Sequence, residues 1–342
     1  MPGFSTHARA LARVATFGAA LSLTLVAPAI AKPPPPARDM PVVVETRAIN
    51  QFCLDGQERG ALRFLGGLEL TSSESSVGGL SGMVIDSDGA GFLAVSDAAV
   101  WLKGRFVSKG GRLAGLSETR VAPVIGNSGR LLGLSRGSDT ESMTRRGNEI
   151  LVGVEGINAV LRFDVAGDGL AARATRLPAP KGVAQLPSNS GLEGIALAPP
   201  ASPIAGTLVA VAERAPRRGD VTAGFLISGP VRGAFKIKIR DDYSITDLAF
   251  LPDGDLLLLE RWYSGFVDIR FRIRRIAAAD IRPDAVLDGP VLIEADRSCE
   301  IDNMEALGVS RDEEGQTILT LLSDDNFSVF QRTLVLRFAL KP

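Results

Sequence analysis

Residues 192–197 read LEGIAL, and residues 208–213 read LVAVAE. Apart from one acidic residue each, both segments consist of apolar or small residues, and the ten residues between them include three prolines. Short apolar runs bounded by turn residues are typical of buried strands, and two such runs joined by a tight connection pair antiparallel. Because the first strand begins where its antiparallel partner ends, we expect Glu193 and Glu213 to lie at the same end of one hairpin.

The same pattern occurs five times, with the other copies at residues 80–97, 140–155, 246–260 and 304–324. Further polar-apolar stretches follow each copy, and units of about four strands that repeat every 50–60 residues or so are typical of propeller blades. The sequence therefore predicts an all-β fold, a single closed β-propeller of five blades. Six blades are the alternative, because residues 41–49 and 100–135 have room for more strands. We expect residues 61–70 to pair with residues 333–340 and close the ring.

The N-terminal segment has the features of a secretory signal. Arg9 and Arg13 precede an apolar run over residues 14–27, and Ala29-Ile30-Ala31 is a small-x-small cleavage site. An uncleaved N-terminal anchor is the alternative. We therefore predict a signal peptide at residues 1–31, a proline-rich linker and N-terminal extension at 32–59, and the propeller domain at 60–342. The mature protein is expected to be periplasmic or secreted, without a membrane span.

Charge and histidine content exclude several classes of function. Of the 38 Lys and Arg residues, two fall in the predicted signal, so 36 basic residues face 39 acidic ones in the mature chain, which gives no electrostatic footprint for nucleic acid. The only histidine is His7, inside the signal. The mature chain therefore cannot form a Ser-His-Asp triad or a His-ligated zinc site. Any catalysis depends on carboxylates, Lys, Arg, Tyr or hydroxyls, with or without a hard metal ion.

Two cysteines, Cys53 and Cys299, remain in a chain that is expected to be exported, where disulfides persist. Cys53 precedes the predicted closing strand, and Cys299 precedes the last copy of the repeat. Both would then lie near the same blade, which favours a disulfide. Two separate buried thiols are the alternative.

The repeat places polar residues where each hairpin begins and ends. If the first strand of each copy is innermost, these residues converge on one mouth of the central channel. The predicted rim set contains Ser81 and Asp97, Glu141 and Glu155, Glu193 and Glu213, Asp247 and Glu260, and Glu305 and Asp324.

So many carboxylates cannot all stay ionised at close range without cations. Arg214 and Arg261 directly follow two of the acids, and bound Ca²⁺ is a second source of positive charge because hard cations prefer oxygen ligands. Asp325 and Asn326 lie beside the same rim and could add ligand oxygens. The alternative is structural, because acids at strand ends also accept backbone N–H bonds from the neighbouring blade or cap turns.

Several of these segments together resemble the phytase-like family described as "esterase-like activity of phytase". The resemblance covers roughly residues 60–340 and rests on GGLSG at 78–82 with Ser96-Asp97, GLEG at 191–194, ITDL at 245–248 with LER at 259–261, and NMEA at 303–306 with SDDNF at 323–327. It implies an exported, propeller-like hydrolase domain rich in acidic residues, for which phosphoester cleavage has been inferred.

Three hypotheses about function follow. The first is a Ca²⁺-assisted hydrolase of small-molecule phosphate esters or other esters. Its predicted catalytic residues are Glu193, Glu213, Glu260, Arg261 and Glu305; its substrate-binding residues are Arg214 and Arg261; and its metal ligands are Asp97, Glu141, Glu155, Asp247, Asp324, Asp325 and Asn326. The second is a propeller that binds without chemistry. The third is a Ca²⁺-dependent lactonase or carboxylesterase, whose neutral substrate avoids repulsion by the acids. We expect a monomer in each case.

Overall fold

The structure is a computed structural model that describes residues 32–135, 139–187, 191–214, 220–264 and 268–341. The predicted signal peptide lies outside the described residues. The first half contains the strands β1 (Met40–Pro41), β2 (Glu45–Ile49), β3 (Glu58–Arg59), β4 (Leu62–Thr71), β5 (Leu80–Ile85), β6 (Gly91–Ser96), β7 (Val100–Lys109), β8 (Arg112–Pro123), β9 (Thr140–Arg146), β10 (Glu149–Val154), β11 (Ala159–Asp164) and β12 (Thr175–Arg176). A four-residue helix, α1 (Lys181–Ala184), follows.

The second half contains β13 (Leu192–Leu197), β14 (Leu208–Ala212), β15 (Val221–Ser228), β16 (Gly233–Lys238), β17 (Ser244–Phe250), β18 (Leu256–Ser264), β19 (Asp268–Ile276), β20 (Val286–Leu287), β21 (Val291–Ala295), β22 (Met304–Arg311), β23 (Thr317–Ser323) and β24 (Thr333–Leu340). Short 3-10 turns lie at Leu132–Leu134, Glu155–Ile157, Gly169–Ala171 and Ala278–Asp280.

The strands form five sheets, which we call blades 1 to 5. Their orders are β1-β8-β7-β6-β5, β12-β11-β10-β9, β13-β14-β15-β16-β20, β17-β18-β19-β21 and β2-β4-β24-β23-β22. The first strands of the five copies, β5, β9, β13, β17 and β22, contact one another in cyclic order. They are therefore the innermost strands of a five-bladed propeller, and the predicted fold is confirmed.

The core lies between neighbouring blades, where each sheet buries one face against the next. Blades 4 and 5, for example, enclose a cluster that includes Leu257, Leu259 and Ile273 on one side and Leu319 on the other. Nearly continuous burial of strands such as β14 explains why the apolar runs do not alternate with polar residues, since both faces of an inner strand are covered.

Blade 5 combines strands from both ends of the chain, as predicted. β4 pairs antiparallel with β24, with Leu70 opposite Thr333 and Leu62 opposite Leu340. The segments that favoured a sixth blade join existing sheets instead, because β1 pairs with β8 in blade 1 and β2 pairs with β4 in blade 5. The propeller therefore has five blades.

The predicted disulfide between Cys53 and Cys299 is present. Both residues are buried beside Phe52, whose ring centroid lies 5.4 Å from that of Phe64 and 4.9 Å from that of Phe338. The bond therefore fastens the N-terminal extension to the loop before β22. A disulfide fits a protein that folds in an oxidising compartment. Among the described helices, none is long and apolar enough to span a bilayer.

We expect the double substitution Cys53→Ser and Cys299→Ser to lower the free energy of unfolding by about 3 kcal/mol, because the bond restricts a long loop in the unfolded chain. The cysteines are 246 residues apart. Urea unfolding of both proteins, with and without reductant, measures the difference. Reductant should shift the midpoint of the wild-type protein and not that of the variant; an unshifted wild-type midpoint would contradict the prediction.

Candidate functional site

A β-bulge at the start of each inner strand directs one residue out of the regular pairing. In β13, for example, Leu192 pairs with Ala212 and Gly194 pairs with Val211, so that Glu193 has no partner across the strand. Bulges of this kind re-aim a side chain. The equivalent bulge residues of blades 1 to 5 are Ser81, Glu141, Glu193, Thr246 and Glu305.

The second strand of each hairpin contributes a residue at the same end. It is the residue that follows the partner of the residue just before the bulge, and in blades 1 to 5 these residues are Asp97, Glu155, Glu213, Arg261 and Asp324. We call these ten positions together the acidic ring. Among the described residues it holds seven carboxylates, two hydroxyls and one guanidinium group.

The fourth blade departs from the alignment of the repeats by one residue. Ile245 pairs with Glu260 and Asp247 pairs with Leu259, which makes Thr246 the bulge residue and Arg261 the residue that follows the pair. The predicted assignment of Asp247 and Glu260 to the rim set is therefore off by one position. The neighbouring blades 3 and 5 have an acid at both of these positions, whereas blade 4 has a hydroxyl at one and a cation at the other.

Asp247 and Glu260 instead make structural contacts. Asp247 accepts hydrogen bonds from the backbone N–H groups of Leu248 and of Leu307 in the next blade, each 2.8 Å long. Glu260 is fully buried and forms ion pairs with the guanidinium groups of Arg272 and Arg274, both at 2.6 Å. Asp247 therefore joins two blades, and Glu260 neutralises charge inside blade 4.

Arg261 is the central cation of the acidic ring. Its guanidinium group donates to Asn303 and to Glu305 of blade 5, and its Nη2 lies 3.9 Å from Glu213 of blade 3. The side chain is 22% exposed. Arg261 therefore spans the gap between two blades and offsets part of the negative charge on either side.

The electrostatics of the ring show that its carboxylates converge. Burial holds the pKa of Glu141 well above its usual range, and the negative charge of Glu193 raises it further. Burial and the charge of Glu213 raise the pKa of Glu193 in the same way. Burial and the charge of Asp97 likewise raise the pKa of Asp324. Groups from different blades influence one another because they face one space, and each of these three carboxyl groups therefore keeps its proton to a higher pH than an exposed acid does.

A group of three oxygens is close enough to hold a metal ion. Carboxylate oxygens of Asp139, Glu141 and Glu155 lie within 4.8 Å of one another. Three hard oxygen donors in a partly buried, anionic setting fit Ca²⁺, which takes six to eight oxygen ligands and can complete its shell with water or backbone oxygens. Asp139 was not among the predicted ligands. Asp139 directly precedes the inner strand β9, just as Asn303 directly precedes the inner strand β22. This shared position is the feature of the sequence that could have identified Asp139 as a ligand.

Glu155 and Glu193 interact across the boundary between blades 2 and 3. Glu155 accepts a 3.0 Å hydrogen bond from the N–H group of Gly191 in blade 3. Burial raises the pKa of Glu155, and the interactions with Gly191 and Glu193 oppose this shift. The two acids therefore lie next to the cluster of three oxygens.

The remaining predicted site residues hold loops in place. Asp325 accepts hydrogen bonds from the N–H groups of Gly79 and Phe327 and from Thr333. The Asn326 side chain donates to Gln331. Arg214 donates to the Ser244 hydroxyl and to the Asp242 carbonyl. Metal binding by Asp325 and Asn326 and substrate binding by Arg214 stay predictions.

The raised pKa of Glu305 predicts a specific pH dependence of stability. Burial raises it from 4.5 to about 7 despite the opposing charge of Arg261. A carboxyl whose pKa is raised by folding stabilises the protein below the unfolded pKa, and this contribution is lost as the pH rises through the folded pKa. Between pH 4.5 and 7 the loss attributable to Glu305 is about 3 kcal/mol.

The measurement is urea unfolding of metal-free wild type and Glu305→Gln across this range. The stability of the wild type relative to the variant should fall as the pH rises. A difference that is flat or rises with pH would contradict the prediction.

Five sheets in a ring, antiparallel except for the pair β16 and β20, with carboxylates gathered at one end of the inner strands, define an acid-lined β-propeller. A family model described as "Phytase-like: Esterase-like activity of phytase" matches residues 75–327, and the chain belongs to this family. The resemblance inferred from the repeat is thus confirmed.

No curated protein matches the chain. Solved structures that are similar include a candidate 6-phosphogluconolactonase from Bacteroides uniformis, with 16% identity, 82% of this chain and 78% of that chain covered, and a TM-score of 0.36. Another is a chain in the S. cerevisiae assembly of dbp5 with nup159, gle1, ip6 and adp, with 10% identity, 83% and 96% covered, and a TM-score of 0.39. At these TM-scores neither similarity supports an argument about function.

Proposed function

We propose that the chain is an exported ester hydrolase, acting on phosphate esters, whose acidic ring binds a divalent cation, Ca²⁺, through Asp139, Glu141 and Glu155. The observation that carries this proposal is the set of three carboxylates with oxygens within 4.8 Å of one another, inside a ring that holds five more acids. Such a group is costly to keep ionised unless a cation joins it. A bound Ca²⁺ would polarise the ester and lower the pKa of a coordinated water.

The chain's own residues supply the proton transfer and the charge stabilisation. Glu193, which interacts with Glu155, is the general base or acid, because burial and the neighbouring Glu213 raise its pKa well above the usual range of a carboxyl group. Arg261 faces the same space and stabilises negative charge on the reacting group. Glu213 and Glu305 hold Arg261 in place from the two neighbouring blades.

Net charge favours a second candidate, hydrolysis of a neutral carboxylic ester or lactone. The ring has seven carboxylates and one guanidinium group among the described residues, and a phosphate that approaches it is repelled unless metal binding changes the local sign. A neutral ester avoids this repulsion and uses the same cation and the same base.

A propeller that binds without chemistry is the third candidate. It is supported by the structural contacts of Asp247, Glu260 and Asp325, since three predicted site residues hold the blades and loops together. In that case the acids of the ring would serve only cation or ligand binding.

Calcium dependence tests the proposal. Protein from which metal has been removed by a chelator should have a lower unfolding temperature, and added Ca²⁺ should restore it, because a ligand of the native state stabilises that state by mass action.

Hydrolysis of a phosphomonoester, a phosphodiester and a lactone is measured on the same samples. Glu141→Gln should lose both calcium effects, while the matched control Glu149→Gln, a half-exposed acid on the neighbouring strand, should retain them. If the protein binds calcium but hydrolyses none of the three substrates, the propeller that binds without chemistry is the candidate that remains. If it neither binds calcium nor hydrolyses a substrate, the metal-dependent hydrolase is excluded.

A further inference from the structure

The first described residue of the chain reaches into the acidic ring. The ammonium group of Lys32 lies 3.1 Å from the backbone oxygen of Asp97 and 3.1 Å from its Oδ2, and it also donates to Oδ1 of Asp139. A lysine ammonium has three N–H donors, and three oxygens surround this one. The contacts therefore match the full donor capacity of a primary ammonium group.

This ion pair is buried on the Asp97 side only. The side chains of Lys32 and Asp139 are 43% and 35% exposed, whereas that of Asp97 is 13% exposed, and burial raises the pKa of Asp97 to about 6 even with Lys32 beside it. Although burial would lower the pKa of Lys32, the charges of Asp97 and Asp139 raise it overall. The second carboxylate oxygen of Asp97, Oδ1, is buried without a hydrogen-bond partner among the described residues. A cation that leaves this place would expose two uncompensated acids.

Asp139 belongs to two groups at once. It accepts from Lys32, and it is one of the three acids whose oxygens lie within 4.8 Å of one another. An ammonium group and a divalent cation on the same carboxylate repel each other, because both are positively charged and lie at close range. When one of the two cations is bound to Asp139, the other therefore binds there more weakly.

We propose that Asp97 and Asp139 form a site for a primary ammonium group, that Lys32 occupies it, and that Lys32 thereby competes with a divalent cation for Asp139. The ammonium site stands on the contacts above. The competition rests on the proposed function, since it needs a divalent cation at Asp139, Glu141 and Glu155.

The segment after Lys32 suits a tether of this kind. Residues 33–36 are four prolines, which form a stiff, extended spacer. Pro35 packs beside Gly133, where a Cβ added to the glycine would lie 3.4 Å from the proline ring. The predicted signal cleavage after Ala31 would make Lys32 the first residue of the mature chain. Export would then place a second ammonium group, the α-amino group, next to the ring.

The experiment uses protein exported from the full chain, with its N-terminus verified. Calcium affinity is measured by calorimetry for wild type, Lys32→Gln and Lys32→Arg, with Lys341→Gln as the matched control because Lys341 pairs with Glu58 instead. If Lys32 occupies Asp139 about nine-tenths of the time, the apparent Kd for Ca²⁺ is about tenfold higher than it is without competition. We expect Lys32→Gln to bind Ca²⁺ about tenfold more tightly than wild type, and Lys32→Arg and Lys341→Gln to bind like wild type.

A second readout needs no metal. In chelated protein, a double-mutant cycle of Lys32→Gln and Asp139→Asn should show a coupling of about fivefold in the unfolding equilibrium constant, as expected for contacting charges. Absence of coupling would overturn the ammonium site. Calcium binding that is equal in wild type and Lys32→Gln would overturn the competition and leave the proposed function intact. If no variant binds Ca²⁺, the competition and the metal-dependent function both fail, and the cycle alone decides whether the ammonium site exists.

Discussion

Replacing Glu260 by Gln is expected to destabilise the folded protein by about 4 kcal/mol, because the change leaves two buried guanidinium groups without their anion. Glu260 and Arg274 have no exposed surface, and Arg272 is 2% exposed. Arg272 also forms an ion pair with Asp241, which is 78% exposed, and donates to the carbonyl of Arg240. Within the described ranges, Arg274 has one further acidic partner, Asp288. Water cannot replace the lost carboxylate at this depth.

Equilibrium urea unfolding measures this effect, and Glu149→Gln is the matched control. Glu149 also contacts two arginines, Arg146 at 2.7 Å and Arg162 at 3.2 Å, but its side chain is 24% exposed. Because solvent screens such pairs, we expect the control to lose less than about 1 kcal/mol. Equal losses in the two variants would mean that burial does not strengthen the Glu260 pairs.

Replacing Glu193 by Gln is expected to reduce ester hydrolysis at least about a hundredfold while the fold stays intact, because an amide cannot act as the general base or acid. The same change should leave stability at pH 7 unchanged or higher, since it removes a buried acid that the neighbouring Glu213 disfavours in its charged form. A purely structural role predicts the opposite result, a loss of stability with no activity to lose.

Initial rates with saturating substrate and Ca²⁺, together with the unfolding temperature of the same samples, separate the two roles. Thr246→Ser is the control at the equivalent bulge of blade 4, because it keeps the hydroxyl that donates 3.0 Å to the Met304 carbonyl. Full activity in Glu193→Gln would remove Glu193 from the mechanism. Equal loss of activity in the control would show that any change at a bulge disturbs the ring.

The repeat predicted the blades because burial and turns act on short segments. Leu208–Ala212 has apolar residues on both faces, so its pattern alone indicates an inner, fully covered strand. The same reasoning predicted the pairing of β4 with β24 and the disulfide, since both follow from closing a ring. These features depend on the order of elements along the chain, which the sequence displays directly.

The candidate site was predictable only in part, because a one-residue shift in register changes which side chains converge. The dipeptide Glu-Arg occurs at both 213–214 and 260–261, which made Glu260 look equivalent to Glu213. In the structure Arg261 holds that place, and the bulge at Thr246 sets the register. A bulge depends on the pairing of two strands, so apolar periodicity does not reveal it. Lys32 and Asp139 were missed for a related reason, as their contacts join segments that are distant in sequence.

Blade 5 also constrains the order in which the protein can fold. It needs residues 62–71 and 333–340 in the same sheet, so the last blade cannot assemble until almost the whole chain is available. The cysteine at 53 must likewise wait for its partner at 299. Until the final strand β24 is available, the early blades therefore have a free lateral edge, and β4 lacks its partner on that side, in a topology whose long-range contacts slow folding. We expect chaperones and disulfide catalysts to matter most in this interval.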